Sequence, residues 1–126
     1  MPSSYVIDKE RKLVITTAWG DCNADDVLEF RKQVLKDRDF DPSFSQLADF
    51  TGVTKVDVSP DEVRMLATKS PFSTQSRRAL VADNQVIFGL SKMFGILRNL
   101  RGEKLIRVFR TRNEALDWLL EKDKAA

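Results

Sequence analysis

The run Arg78-Ala79-Leu80-Val81-Ala82-Asp83 constrains the fold more than any other part of the chain. Its four middle residues are apolar on both alternating faces, which is the signature of a central strand covered on both sides by helices. Asp83 follows as a capping residue, and a very apolar helix opens after it, through Val86, Ile87, Phe88, Leu90, Met93, Phe94, Ile96 and Leu97. A second strand, Leu105 to Arg110, and a helix from Thr111 to Leu120 complete the pattern. Thr111-Arg112-Asn113-Glu114 has the spacing of a capping box. Strand–helix–strand–helix requires a parallel sheet with right-handed crossovers.

The first half reads in the same terms. Tyr5-Val6-Ile7 and Leu13 to Trp19 flank a polar stretch, which predicts a hairpin that Gly20 ends. Asn23 is a helix cap with Asp25 and Asp26 in the first turn, and Val27, Leu28, Phe30, Val34 and Leu35 share one stripe, so residues 24–36 form an amphipathic helix. Phe44 to Phe50 is a third strand, from which residues 51–58 lead away. Ser59-Pro60-Asp61-Glu62 starts a helix, with a cap, a proline in the first turn and a reciprocal glutamate. The order is ββαβαβαβα, an α/β domain with a mixed, mostly parallel sheet of about five strands flanked by four helices. At 126 residues a single domain, 1–126, is the expectation.

Composition excludes more than it assigns. The chain has no histidine and one cysteine, Cys22. That removes a Ser–His–Asp triad, a Cys–His dyad, a histidine metal site and an intrachain disulfide. The five glycines match no dinucleotide or nucleotide-triphosphate loop. No cofactor, no metal and no catalytic residue is implied. Asp49, Asp57 and Asp83 are weighed as an acidic cluster, with turn and cap roles preferred for Asp49 and Asp83. Trp19, Phe109 and Trp118 read as core aromatics. The net charge of +2 is too small to indicate a nucleic-acid partner. No segment has the length of an apolar membrane span, and Met1 to Tyr5 lacks the form of a leader, so a cytoplasmic, bacterial-type protein is expected. Residues 1–74 hold 10 Lys/Arg against 13 Asp/Glu, net −3, and residues 75–126 hold 11 against 6, net +5.

The helix over residues 84–100 carries more apolar surface than a sheet can cover. With Val86 at the origin of a helical wheel, Ile96, Leu100, Met93, Leu97, Leu90, Phe94 and Ile87 fill an arc of about 180°, where a stripe of about 100° suffices. Phe88 falls outside that arc, beside Gly95. The surface formed by Phe88, Gly95, Met93 and Phe94, with Phe72 nearby, is therefore read as facing a protein partner, a second copy or a small apolar ligand, unless neighbouring elements cover it. Arg98, Arg101 and Lys104 follow at the helix end, where they complement its dipole. Arg98, Arg101 and Arg107 are the candidate contacts for an anionic group.

The strand Arg78–Asp83, the pairs Phe88-Gly89 and Met93-Phe94, and Arg107-Val108-Phe109-Arg110 running into Glu114-Ala115-Leu116-Asp117-Trp118-Leu119 together resemble the SpoIIAA-like branch of the STAS superfamily, the anti-sigma-factor-antagonist fold. The resemblance covers most of the chain loosely and residues 78–119 more closely. It implies a regulatory or protein-interaction module without enzymatic activity, and this branch has been likened to lipid-binding domains of the CRAL-TRIO type. The alternative it carries is a carrier or sensor of a small apolar or lipid-like ligand at the helix over 84–100. Members of the superfamily are switched by phosphorylation of a serine at a helix N-terminus, in a pattern close to Asp-Ser-Ser-Gly. The matching stretch here is Asp57-Val58-Ser59-Pro60, which makes Ser59 the corresponding phosphoacceptor. Proline replaces the glycine, and Asp57, Asp61 and Glu62 would repel a phosphate, so capping is the simpler role for Ser59.

Overall fold

The computed structural model describes residues 3–121. The residues at either end of the 1–126 domain span, including Met1 and Pro2 of the segment judged not to be a leader, lie outside the described residues. The elements are β1 (Ser3–Asp8), β2 (Leu13–Asn23), α1 (Ala24–Lys36), β3 (Ser45–Asp57), α2 (Pro60–Leu66), β4 (Arg78–Val81), α3 (Gln85–Asn99), β5 (Ile106–Phe109) and α4 (Arg112–Leu119). They form one five-stranded sheet in the order β1-β2-β3-β4-β5. β1 is antiparallel to β2, and every later pairing is parallel. The ββαβαβαβα order and the mixed, mostly parallel sheet are those expected from the residues.

Because each strand takes its place one position further along the sheet, the three crossovers share a direction. Crossovers of one hand then put α1, α2 and α3 on the same face. α4 follows the last strand and returns over the opposite face. Alternation along the strands divides the core accordingly. Leu13, Leu47, Ala79 and Val81 pack with Ala115 and Leu119 of α4, with Phe109 and Trp118 at the margin. Ala18, Cys22, Val53 and Ala82 pack with Ile87 of α3, joined by Val27, Phe50 and Phe88.

Two strands run well past the ends read from the sequence, and one helix cap moves. Gly20 does not end β2: it adopts φ +71°, and the strand continues to Asn23 across register shifts at Thr17/Trp19 and Gly20/Asp21. β3 likewise runs on through residues 51–57, pairing with β2 as far as Asn23↔Asp57. The irregular register brings the backbones close, so that a Cβ on Gly52 would lie 3.0 Å from the Ala18 carbonyl oxygen and from Trp19 Cβ. Trp19, expected in the core, is 43% exposed on this extension. The cap of α3 is Asn84 rather than Asp83: its Oδ1 accepts from the amides of Val86 and Ile87 at 2.8 and 3.3 Å.

The other caps fall where the residues put them. Asn23 and Asp26 form a reciprocal capping box on α1. Ser59 and Glu62 form another on α2, with Pro60 in its first turn. Thr111 caps α4 through the Glu114 amide, but the second half of its box differs: the Thr111 hydroxyl donates to the Glu114 carboxylate at 2.8 Å.

Candidate functional site

An apolar cavity of about 150 Å³ lies between the sheet and helices α1, α2 and α3. Strand residues whose side chains alternate toward these helices form its floor, among them Ala48 of β3 and Leu80 of β4. Phe30, Leu66, Ile87 and Leu90 contribute from the helices. A cavity of this size with apolar walls holds a molecule about as large as one benzene ring.

Few polar side chains line it, and Arg31 and Arg78 are the charged ones. Arg78, on the interior strand β4, is almost fully buried and belongs to a compact ionic group. Its Nη1 donates to both oxygens of Glu103, at 3.2 and 3.3 Å, and to Ser70 Oγ at 3.0 Å, while its Nε donates to Gln46 Oε1 at 3.1 Å. Arg98 Nε donates to the same Glu103 carboxylate at 2.8 Å, and its Nη1 to the Ala67 carbonyl at 3.0 Å. Glu103 reaches this position because α3 ends on a turn at Gly102, φ +96°, which sends the Glu103 amide back to the Arg98 carbonyl. Rings complete the enclosure: the Arg78 guanidinium lies 4.9 Å from the Phe72 ring centre and 5.3 Å from that of Phe94.

Arg31 approaches from α1. Its Nη1 donates to the Leu66 carbonyl at 2.8 Å and to that of Lys69 at 3.3 Å, and its guanidinium lies 5.8 Å from the Phe94 ring centre. Burial, with repulsion from Arg78 and Arg98, lowers its pKa to about 10, so it remains a cation at neutral pH. Three guanidiniums, those of Arg31, Arg78 and Arg98, thus gather around the single carboxylate of Glu103, a net of +2 for the group (three positive, one negative).

The structure redistributes the candidate residues. Phe72 is buried under Arg78 and packs edge-on against Phe40, with ring centres 5.4 Å apart, so it covers no outer surface. Phe94 is half-buried and lines the cavity. Gly95 faces the sheet: a Cβ there would meet Ile106 Cγ2 at 3.5 Å. Phe88 is half-buried beneath Arg110, whose guanidinium is 4.0 Å from its ring centre, and packs on the Ile87 side of the core. Met93 is half-buried. The exposed apolar stripe of α3 consists instead of Val86, Ile96 and Leu100, which are 60, 63 and 79% exposed. It is turned away from Phe88 because Ile87, Ser91 and Arg98 occupy the inward face of the helix.

Arg98 is buried on the inward face of α3, with its Nε donating to Glu103 and its Nη1 to the Ala67 carbonyl, so it does not stand on the outer surface with the other candidate anion contacts. Arg101 and Arg107 are exposed; the Arg107 guanidinium lies over Phe109 and Trp118, 5.3 and 5.5 Å from their ring centres. Ser59 accepts from the Glu62 amide at 3.1 Å as the cap of α2. Asp49 does not join Asp57 and Asp83: it accepts from the Thr51 hydroxyl and amide at 2.7 and 2.9 Å and pairs with Arg112 at 3.0 Å. Burial alone would raise its carboxyl, but these hydrogen bonds and the Arg112 charge outweigh it and leave the pKa lowered. No group of three or more acidic or cysteine side chains among the described residues is arranged to hold a metal ion. Cys22 is buried, which raises its thiol above the ordinary value, with the Asp26 charge adding to the effect. No helix among the described residues is long and apolar enough to cross a membrane.

Arg31 and Glu103 were not among the candidates. Arg31 sits on an ordinary amphipathic helix, and only the convergence of α1 with α2 and α3 gives it a role. Glu103 had one visible signal, being the sole acidic residue among Arg98, Arg101 and Lys104.

No protein-family model matches the chain, and no curated protein does. Among solved structures, it is similar to an uncharacterized protein from the DUF3478 family with a SpoIIAA-like fold, from Shewanella loihica PV-4. The two share 16% sequence identity, the match covers 93% of each chain, and the TM-score is 0.57. The chain has a SpoIIAA-like fold.

Proposed function

We propose that this SpoIIAA-like chain is a non-enzymatic binding module that holds a small apolar molecule between its sheet and helices α1, α2 and α3. The cavity of about 150 Å³ carries the reading. Native cores are close-packed, with few voids larger than a water molecule, so an apolar space of ligand size is one that a bound molecule would stabilise. Helix α3 takes part through Ile87, Leu90, Ser91 and Phe94, its inward rather than its outward side. The absence of histidine and the buried, protonated Cys22 thiol support a role in binding rather than in turnover.

Native mass spectrometry of protein purified without detergent tests the proposal, together with thermal melts in the presence of 2-phenylethanol. A retained mass that is lost on denaturation is the expected result. At a concentration 100 times its Kd, a ligand adds about 2.7 kcal/mol of stability. Ala48→Leu, which adds bulk to the cavity wall, should abolish that gain. A clean chain mass and a melting curve indifferent to the alcohol would rule the reading out.

The exposed stripe Val86, Ile96 and Leu100 favours a second reading, a regulatory module that docks a protein partner or a second copy. Size-exclusion chromatography with light scattering tests self-association. A dimer that dissociates in the Ile96→Glu, Leu100→Glu variant would support it.

A further inference from the structure

We infer that the ligand of this cavity carries a carboxylate, and that Arg31 receives it through the Nε–Nη2 edge of its guanidinium. The inference rests on the cavity-binding reading above and adds the chemical class of the ligand. Arg31 lines the cavity, yet among the described residues its hydrogen bonds use Nη1 alone, toward Leu66 and Lys69. Among the described residues its Nε and Nη2 have no hydrogen-bond partner. No fully buried side-chain nitrogen or oxygen lacks a hydrogen bond among the described residues, so these two donors are not sealed away but open to an incoming group.

The chemistry of that edge selects the ligand. The Nε–H and Nη2–H bonds are parallel and spaced for the two oxygens of a carboxylate, the side-on pairing that makes arginine the preferred receptor for planar anions. Electrostatics act in the same direction. Arg31 pairs with no carboxylate among the described residues, and the neighbouring group of Arg78, Arg98 and Glu103 already carries one more positive than negative charge. A monoanion would reduce the net +2 to +1 without disturbing the Glu103 pairs. Ser91, buried on the inward face of α3 and lining the same cavity, has a hydroxyl with no hydrogen bond among the described residues, a second polar group available to the head of the ligand. The apolar walls then hold a body about the size of one aromatic ring. A small aryl carboxylate or a short-chain carboxylate satisfies all of these conditions.

Phenylacetate and 2-phenylethanol share the body and differ in the head, so their affinities separate the two levels of the argument. Titration calorimetry at neutral pH should show phenylacetate binding about tenfold tighter or better, since hydrogen bonds to charged groups are worth about twice neutral ones. Arg31→Gln should bring the ratio of the two affinities close to one. Arg31→Lys, which keeps the charge and removes the fork, should recover only part of the preference; this second variant also serves if the glutamine protein fails to fold. Equal binding of the two compounds by the unaltered protein would overturn the carboxylate inference and leave the cavity reading intact. Binding of neither would overturn both.

Discussion

Arg78 and Glu103, 25 residues apart in the chain, meet where β4 passes under the end of α3, with Arg78 Nη1 within 3.3 Å of both carboxylate oxygens and neither side chain more than 5% exposed. Arg98 shares the same carboxylate. Removing one partner of a buried pair leaves uncompensated charge, which costs about 3–5 kcal/mol. Glu103→Gln should therefore destabilise the fold by about that amount in urea unfolding. A loss below about 1 kcal/mol would mean that the guanidiniums are satisfied without it.

The Asp49 carboxylate, held by Thr51 and Arg112, has a lowered pKa in the folded state. Its stabilisation is complete above the unfolded value of about 3.9 and is lost as the pH falls through the lower native value. Asp49→Asn should melt at a lower temperature than the unaltered protein at pH 7, and the gap should close below about pH 4. A constant gap from pH 7 to pH 3 would show that the charge contributes nothing.

Gly89 lies in the middle of α3, and a Cβ there would meet nothing within 4 Å. Glycine inside a helix is about 1 kcal/mol less favourable than alanine. Gly89→Ala should raise stability by about that amount, measured as a higher denaturant midpoint at constant slope.

The outer stripe of α3 and its Phe88 edge should respond differently to charge. Ile96→Glu with Leu100→Glu places polar groups where both side chains are largely exposed, so stability should change by no more than about 0.5 kcal/mol per site. Phe88→Asp breaks a half-buried contact with the core and with Arg110, and should cost more than either. The reverse order, read from thermal melts, would return the outward face to Phe88.

Ser59 caps α2 through the Glu62 amide. Ser59→Ala should cost about 1 kcal/mol, and Ser59→Asp, which can cap equally well, close to nothing. If Ser59→Asp proves as damaging as alanine, the acidic residues around it repel added charge strongly enough to oppose a phosphate as well.

Local signals were the legible ones. Asn23, Ser59 and Thr111 are caps because their side chains bond to amides two or three residues away, a relationship contained within four residues of sequence. Arg78–Val81 was legible as an interior strand because both of its faces are apolar apart from the arginine, although β3 rather than β4 is the middle strand of the sheet. The ends of β2 and β3 were hidden, because Gly20 and Gly52 resemble stops and serve instead where the register shifts and two backbones come close. The apolar excess of α3 was visible, but its direction was not. A wheel places Phe88 apart from the main arc, yet the inward orientation is set by Ser91 and Arg98, the latter drawn inside by Glu103. The cavity and its arginines depend on three helices converging on one face, a relationship no window of sequence contains.

The sequential strand order also governs how the chain comes together. Each parallel strand pairs with the previous one, across separations of 32, 32 and 28 residues at Leu13↔Ser45, Gln46↔Arg78 and Arg78↔Ile106. No strand has to be inserted between two that are already paired, so loop closure remains short at every step. A chain emerging from the ribosome can add each crossover to the growing edge as it is made. Glu103 follows both arginines in the chain, and until it is made, Arg78 and Arg98 lack the carboxylate they share. The segment from Glu103 to β5 thus adds the edge strand and supplies the carboxylate that both arginines hold, coupling growth of the sheet to partial charge compensation within one short stretch.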